Sequence, residues 1–216
     1  QHHSRRRRFV TCPTNSVSRR STRFVRHPTD HPQVDRKMPE RPSNKSNNNH
    51  RVSENQFQEW YSNEIWGNRA LDDDALFEVM SLQVFQAGLT WSMVLSRRDG
   101  FRSAFGDWNI DNVAAMGPDD VYKLRKDKGI IRNRQKIQAV IENAKIIQTI
   151  RKEHGGFCKW FYDELHWSDY PSLQKELRSK FKFMGPEISR MWLMASGRIT
   201  RHEGEKYDPQ LSSNQV

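Results

Sequence analysis

The chain has 216 residues, with 36 Lys and Arg against 26 Asp and Glu, a formal net charge of +10 and two cysteines. That length suits one domain with a tail. Cys12 and Cys158 exclude a disulfide framework, and no pair has zinc-finger spacing. No apolar run approaches the roughly 20 residues that span a bilayer, so the expectation is a soluble, intracellular protein without membrane contact.

The charge is unevenly placed. Residues 1–51 hold 13 basic and 3 acidic residues, whereas residues 52–216 hold 23 of each. Whole-chain charge therefore carries no argument that the folded part binds nucleic acid. Residues 1–51 read as a disordered basic tail: they contain 5 of the 9 prolines, Arg5-Arg6-Arg7-Arg8 and the low-complexity run 43–49. Three readings of the tail stay open. It fits a nonspecific nucleic-acid arm, an organelle transit segment, or translated upstream sequence with Met38 as the start. The last is slightly preferred.

Residues 52–216 read as one helical domain. Ser53 is a good N-cap with Gln56 in the capping-box position, opening a short helix to Trp60-Tyr61. A loop with Asn63, Gly67 and Asn68 carries Trp66. Asp72-Asp73-Asp74 starts the main helix by capping and by suiting its dipole. Leu76, Met80, Val84 and Ala87 recur at helical spacing, which predicts one buried face. Gln83 adjoins that stripe and needs partners if buried. Gly88 suits a left-handed C-terminal cap. Leu89 is thrown out on the turn, Thr90 caps the next helix, and Trp91 opens it. These residues also fit an ordinary helical hairpin whose amide pairs with backbone.

The second helix is predicted over 91–105, with Val94, Leu95, Phe101 and Phe105 inward. A short helix over 111–116 ends at Gly117-Pro118-Asp119-Asp120, which starts the next. Lys126-Asp127-Lys128-Gly129-Ile130-Ile131-Arg132-Asn133-Arg134 is a tight turn with Gly129 at its apex. The helix after it is strongly periodic, with Ile137, Val140, Ile141, Ala144, Ile147 and Ile150 on one face. Gly155-Gly156 breaks the chain. Helices over 157–165 and 172–178 follow, then a last one with Ile188, Met191, Trp192, Met194 and Ala195, ending at Gly197. No useful β-alternation appears. The predicted class is all-α, with roughly eight helices.

Two groups of residues carry chemistry. A Gly-centred turn before a helix can aim N–H groups and a dipole at a phosphate, and Lys126, Lys128, Arg132, Arg134 and Lys136 add charge there. The same cluster fits a solvated turn. Trp60, Tyr61, Trp66 and Trp91 can stack a nucleobase while Gln83 addresses its edge. The same rings also suit a core. Together with a protruding Leu89, they fit a protein that draws a base out of DNA.

With these segments in order, the chain resembles the DNA-3-methyladenine glycosylase I family, helix-hairpin-helix enzymes of base excision. The matching stretches are Tyr61-Ser62-Asn63-Glu64-Ile65-Trp66-Gly67, Gln86-Ala87-Gly88-Leu89-Thr90-Trp91, Val113-Ala114-Ala115-Met116, Gly129-Ile130-Ile131-Arg132-Asn133-Arg134-Gln135-Lys136-Ile137 and Phe181-Lys182-Phe183-Met184-Gly185. They span about residues 58–207. The resemblance implies an all-α, helix-hairpin-helix glycosylase fold. It also implies a monofunctional DNA glycosylase that hydrolyses the N-glycosidic bond of N3-methylated purines, without a cofactor. Tyr61, Trp66 and Trp91 would enclose the methylated adenine, with Gln83 and Trp91 as the catalytic pair. Gly88 and Leu89 would fill the gap in the duplex. Gly129, Ile130, Arg132, Arg134 and Lys136 would hold DNA. The expected partner is double-stranded DNA containing alkylated bases, met by a monomer.

Two departures qualify that resemblance. Gln83 stands where the family has a glutamate, so a neutral amide replaces a charge-assisted partner for a cationic base. A DNA-binding member that does not cleave is therefore the alternative reading. The family also ties its termini with zinc on two Cys and two His. Here Ser62 and Lys206 stand at two ligand positions, Cys12 lies too far upstream, and only His202 remains. No metal site is expected.

Overall fold

The computed structural model describes residues 54–208. The tail, the Ser53 cap and Cys12 lie outside the described residues. Within them every regular element is helical, as predicted, and eleven α-helical segments are present.

Helix α1 (Glu54–Trp60) runs straight into a π-helical turn, Tyr61–Ile65. Helix α2 (Asp73–Gln86) is the axis of the domain. Asp72 caps it as expected, its carboxylate accepting from the Ala75 amide at 2.7 Å. The expectation of one buried face on α2 needs correction: all ten residues from Leu76 to Phe85 are buried. Helices on several sides enclose it, so its apolar periodicity understates its burial.

The helix expected over 91–105 is two, α3 (Trp91–Leu95) and α4 (Arg98–Ala104). The break falls at Ser96-Arg97, where Arg97 Nη1 donates back to Met93 O at 2.9 Å. Behind the break, buried Glu78 pairs with Arg98 at 3.0 Å and Arg102 at 3.4 Å. Helix α5 (Ile110–Ala114) is capped by Asn109, and α6 (Pro118–Leu124) begins at Gly117. Helix α7 (Arg134–His154) packs its isoleucine stripe inward and ends at Gly155 with φ +77°, the left-handed cap its glycine permits.

Helix α8 (Phe157–Lys159) continues as a π-helical turn, and α9 (Tyr170–Lys180) follows an Asp169 cap. Helix α10 (Pro186–Ala195) lies against α2 and α9. A final short helix, α11 (Arg201–Glu205), was not anticipated, although Thr200 and Glu203 form a capping box that its sequence displays. The core is rich in rings: Phe85, Phe101, Phe105 and Trp108 group together, and Phe157, Phe161 and Trp192 form a second stack.

Candidate active site

The first expected wall is Tyr61, at the α1–π junction. Its ring centroid lies 4.5 Å from Trp91 and 5.9 Å from Trp66. Three aromatics from two distant segments therefore meet, as expected. Tyr61, Ser62, Trp66 and Trp91 line a cavity of about 560 Å³, large enough for a nucleobase. Its other wall is Arg190, Met191 and Met194 of α10 with Arg201, Glu205 and Asp208 at the C-terminal end. That wall was missed in the sequence. Only the periodic face of α10 hinted at it, and that face read as core.

Behind Tyr61 stands Gln83, 1% exposed. Its Nε2 donates to Tyr61 Oη at 2.9 Å, while its Oε1 has no partner among the described residues. The Trp91 indole N–H is likewise buried without a partner. Burial pushes the Tyr61 phenol well above its usual range, and the Gln83 bond pulls it back only in part. Tyr61 is thus a neutral phenol at any ordinary pH. Because Gln83 already donates to its oxygen, its own O–H is left to donate elsewhere.

The α2–α3 corner matches its prediction at Gly88 but not throughout: Thr90 is the N-cap of α3 without a side-chain capping bond, and Leu89 is not thrown clear of the surface. Gly88 has φ +72°, and the Leu89 amide donates to Gln86 O at 2.7 Å. Leu89 is half-buried there, and Gly88 is exposed.

The hairpin between α6 and α7 holds Gly129 at an exposed apex. Its amide donates to Asp127 Oδ1 at 2.7 Å, so that donor is occupied. The Ile130 side chain is buried, whereas the amides of Ile130, Ile131 and Arg132 meet no acceptor among the described residues. Arg132 and Arg134 are exposed and make no ion pair among the described residues. Asn133 caps α7 through the Lys136 amide at 3.2 Å.

Lys136 departs from its expected role in DNA binding. It is 5% exposed, and its ammonium donates to Phe85 O at 2.7 Å and Ala87 O at 2.6 Å. Those carbonyls end α2, where a cation suits the dipole. Burial holds the ammonium below the usual lysine range. Lys136 therefore braces the Gly88-Leu89 corner from beneath and cannot reach a phosphate. A second brace was also unforeseen: a Cβ on Gly100 would lie 2.2 Å from Gly129 O, so α4 meets the hairpin backbone to backbone.

The arrangement can stack a planar base, with the buried Gln83–Tyr61 pair behind the aromatic wall, and can present to a phosphate two arginines and amides that meet no acceptor among the described residues. A model of the methyladenine glycosylase family matches residues 51–206. The chain belongs to the methyladenine glycosylase family. It is 32% identical to DNA-3-methyladenine glycosylase 1 of Escherichia coli over 160 residues, covering 66% of this chain and 86% of that protein. A crystal structure of 3-methyladenine DNA glycosylase I superposes with a TM-score of 0.60 at 30% identity, covering 69% of this chain and 92% of that one. A Staphylococcus aureus 3-methyladenine DNA glycosylase I, solved for its recognition of 3-methyladenine, also gives 0.60 at 26% identity, with 68% and 87% covered.

The zinc that the resemblance implies does not fit this donor set. Ser62, His202 and Lys206 are all exposed, and a hydroxyl and an ammonium are not zinc ligands. Among the described residues no group of three His, Cys, Asp or Glu could hold a metal ion. The C-terminal end is joined to α10 differently. Buried Arg190 pairs with Glu187 at 2.8 Å and Asp208 at 3.3 Å, and Tyr207 stacks on Tyr170 with centroids 4.2 Å apart.

Proposed function

We propose that this chain is a monofunctional DNA glycosylase that releases 3-methyladenine from alkylated double-stranded DNA. The observation that carries the reading is the Gln83–Tyr61 hydrogen bond behind an aromatic-walled cavity. In the reaction, water attacks C1′ of the nucleotide and gives up a proton to solvent as the C1′–N9 bond breaks. The bonding electrons go to the base, which leaves as neutral 3-methyladenine because alkylation had made it cationic. No proton need come from the protein, so the site has to extrude, stack and desolvate the base.

Each residue has a part in that task. Tyr61, Trp66 and Trp91 hold the ring, at about 1–3 kcal/mol for each stacked face. The unpaired Gln83 Oε1 accepts from the exocyclic amine, and the Tyr61 O–H donates to a ring nitrogen. Gly88 and Leu89 enter the gap in the duplex. The free amides of Ile130, Ile131 and Arg132, with the Arg132 and Arg134 side chains, bind phosphate at the start of α7. Gly129 supplies the turn rather than a free donor. The proposed partner is double-stranded DNA containing alkylated bases, met by a monomer inside the cell.

Gln83 favours a second reading, a family member that binds lesions without cleaving. One experiment separates the two: single-turnover release of 3-methyladenine from methylated DNA by the parent, Gln83→Glu, Gln83→Ala and Trp91→Ala. An active parent should gain selectivity for the cationic base in Gln83→Glu. The gain from a charge-assisted bond is about 1–2 kcal/mol, roughly tenfold. Trp91→Ala should cost more than Gln83→Ala, because it removes a wall. Release by Gln83→Glu alone, with a silent parent, establishes the non-cleaving reading.

A further inference from the structure

Phe183 has no part in the base cavity, yet its conformation is unusual. Its φ is +58°, a left-handed value that costs any residue with a branched or bulky side chain. Its ring is 39% exposed, while Phe181 and Met184 on either side are 3% and 2% exposed. The loop is thus anchored twice and turns one ring outward.

Asn143 imposes this. It lies on α7, 1% exposed, and clamps the backbone of Lys182: its Oδ1 accepts from the Lys182 amide at 2.7 Å and its Nδ2 donates to Lys182 O at 3.1 Å. With Lys182 pinned and Met184 buried, the chain has to reverse at Phe183. Gly or Asn would adopt that conformation more cheaply. A costly backbone at an exposed aromatic points to a use for that ring.

Its surroundings indicate what it faces. Gly185, Pro186, Glu187 and Ile188 form one wall of a cavity of about 460 Å³, and Gln86, Ala87 and Gly88 form the other. The start of α10, just after the loop carrying Phe183, and the end of α2, just before Leu89, therefore flank one groove. Lys182 is exposed, with no ion pair among the described residues, and adds positive charge to the loop that leads into α10. Glu187 carries the opposite charge in that lining, but it is held by Arg190 at 2.8 Å.

We propose that Lys182 and Phe183 are a second DNA contact, taking the strand beside the extruded nucleotide, with the ring on an exposed base and the ammonium on its phosphate. The proposal rests on the glycosylase reading above. When Leu89 fills the gap, the neighbouring base loses part of its stack. An aromatic face replaces that stack regardless of sequence, and the backbone that carries the ring is already held by the Asn143 clamp.

The test uses the full chain and a duplex containing one tetrahydrofuran abasic analogue. Fluorescence anisotropy is measured for the parent, Phe183→Asn, Phe183→Gly and Lys182→Ala, and thermal unfolding is followed alongside. Both Phe183 variants should melt at or above the parent temperature, because strain is relieved, yet bind about tenfold more weakly. Lys182→Ala should lower the slope of log affinity against log salt by about 0.9. Parent-like binding by both Phe183 variants overturns the proposal and leaves the glycosylase reading intact. Melting temperatures that fall with affinity also overturn it, since Phe183 would then be a packing residue. A parent that does not prefer this duplex to an undamaged one removes both.

Discussion

Lys136 separates two roles that a basic residue in a DNA-binding segment can have. Lys136→Met keeps the apolar stem and removes the ammonium. It deletes two bonds, 2.7 Å to Phe85 O and 2.6 Å to Ala87 O, both to carbonyls that end α2. Charge-assisted bonds are worth about 1.5–3 kcal/mol each, about 3–6 kcal/mol together. Burial disfavours the charged form, so part of that sum returns when the charge is gone. The expected net loss is about 2–4 kcal/mol, a large fraction of the 5–15 kcal/mol that holds a typical domain together. Urea denaturation reads it directly as a lower midpoint. DNA binding should weaken with no change in its salt slope, because the Gly88-Leu89 corner shifts but no phosphate contact is lost. A phosphate contact has the opposite signature: unchanged stability, and a salt slope reduced by about 0.9. That second pattern would refute the reasoning.

Gly100→Ala should displace the hairpin, since its Cβ would meet Gly129 O at 2.2 Å and neither backbone can yield cheaply; loss of duplex binding with an intact helical signal is expected, and parent-like binding would show that the hairpin is free to move. Stability should fall in alkali. Burial pushes the Tyr162 and Tyr170 phenols up to about 12 from 10.0 and the Cys158 thiol up to about 12 from 9.0. The folded chain then keeps protons that the unfolded chain has lost, so this stability is complete below the unfolded values and disappears as pH rises from about 9 toward 12. Lys136 opposes the trend as a single group, and urea midpoints that hold or rise between about pH 8 and 10.5 would contradict it. Elemental analysis of chelator-washed, folded protein should find well below one zinc per chain, whereas a stoichiometric zinc whose removal unfolds the domain would mean that the donor set has been misjudged.

Much of this protein is decided within a few residues of chain. Asp72, Asn109, Asn133 and Asp169 cap helices through side chains that reach three residues ahead. Gly88 and Gly155 take the positive φ that ends a helix. The isoleucine stripe of α7 marks its buried face at the helical period. Such features depend on neighbours in sequence, so the all-α class and most helix positions are legible there. The aromatic residues of the cavity are also legible, as residue types in a familiar order.

What tertiary structure alone decides is where a side chain spends its polar atoms. Lys136 reads as one more cation in a basic turn, yet it is buried against carbonyls 49 and 51 residues away. Gln83 reads as a lost carboxylate, and only across 22 residues does its amide become the partner of Tyr61. Gly100 looks like an ordinary helical glycine until Gly129 lies against it. Phe183 carries no local sign of its left-handed backbone, because Asn143, 40 positions earlier, imposes it through Lys182. Propensity and periodicity act over a turn of helix. Desolvation, close packing and hydrogen-bond pairing depend on which distant segments meet, and no spacing within one segment records that.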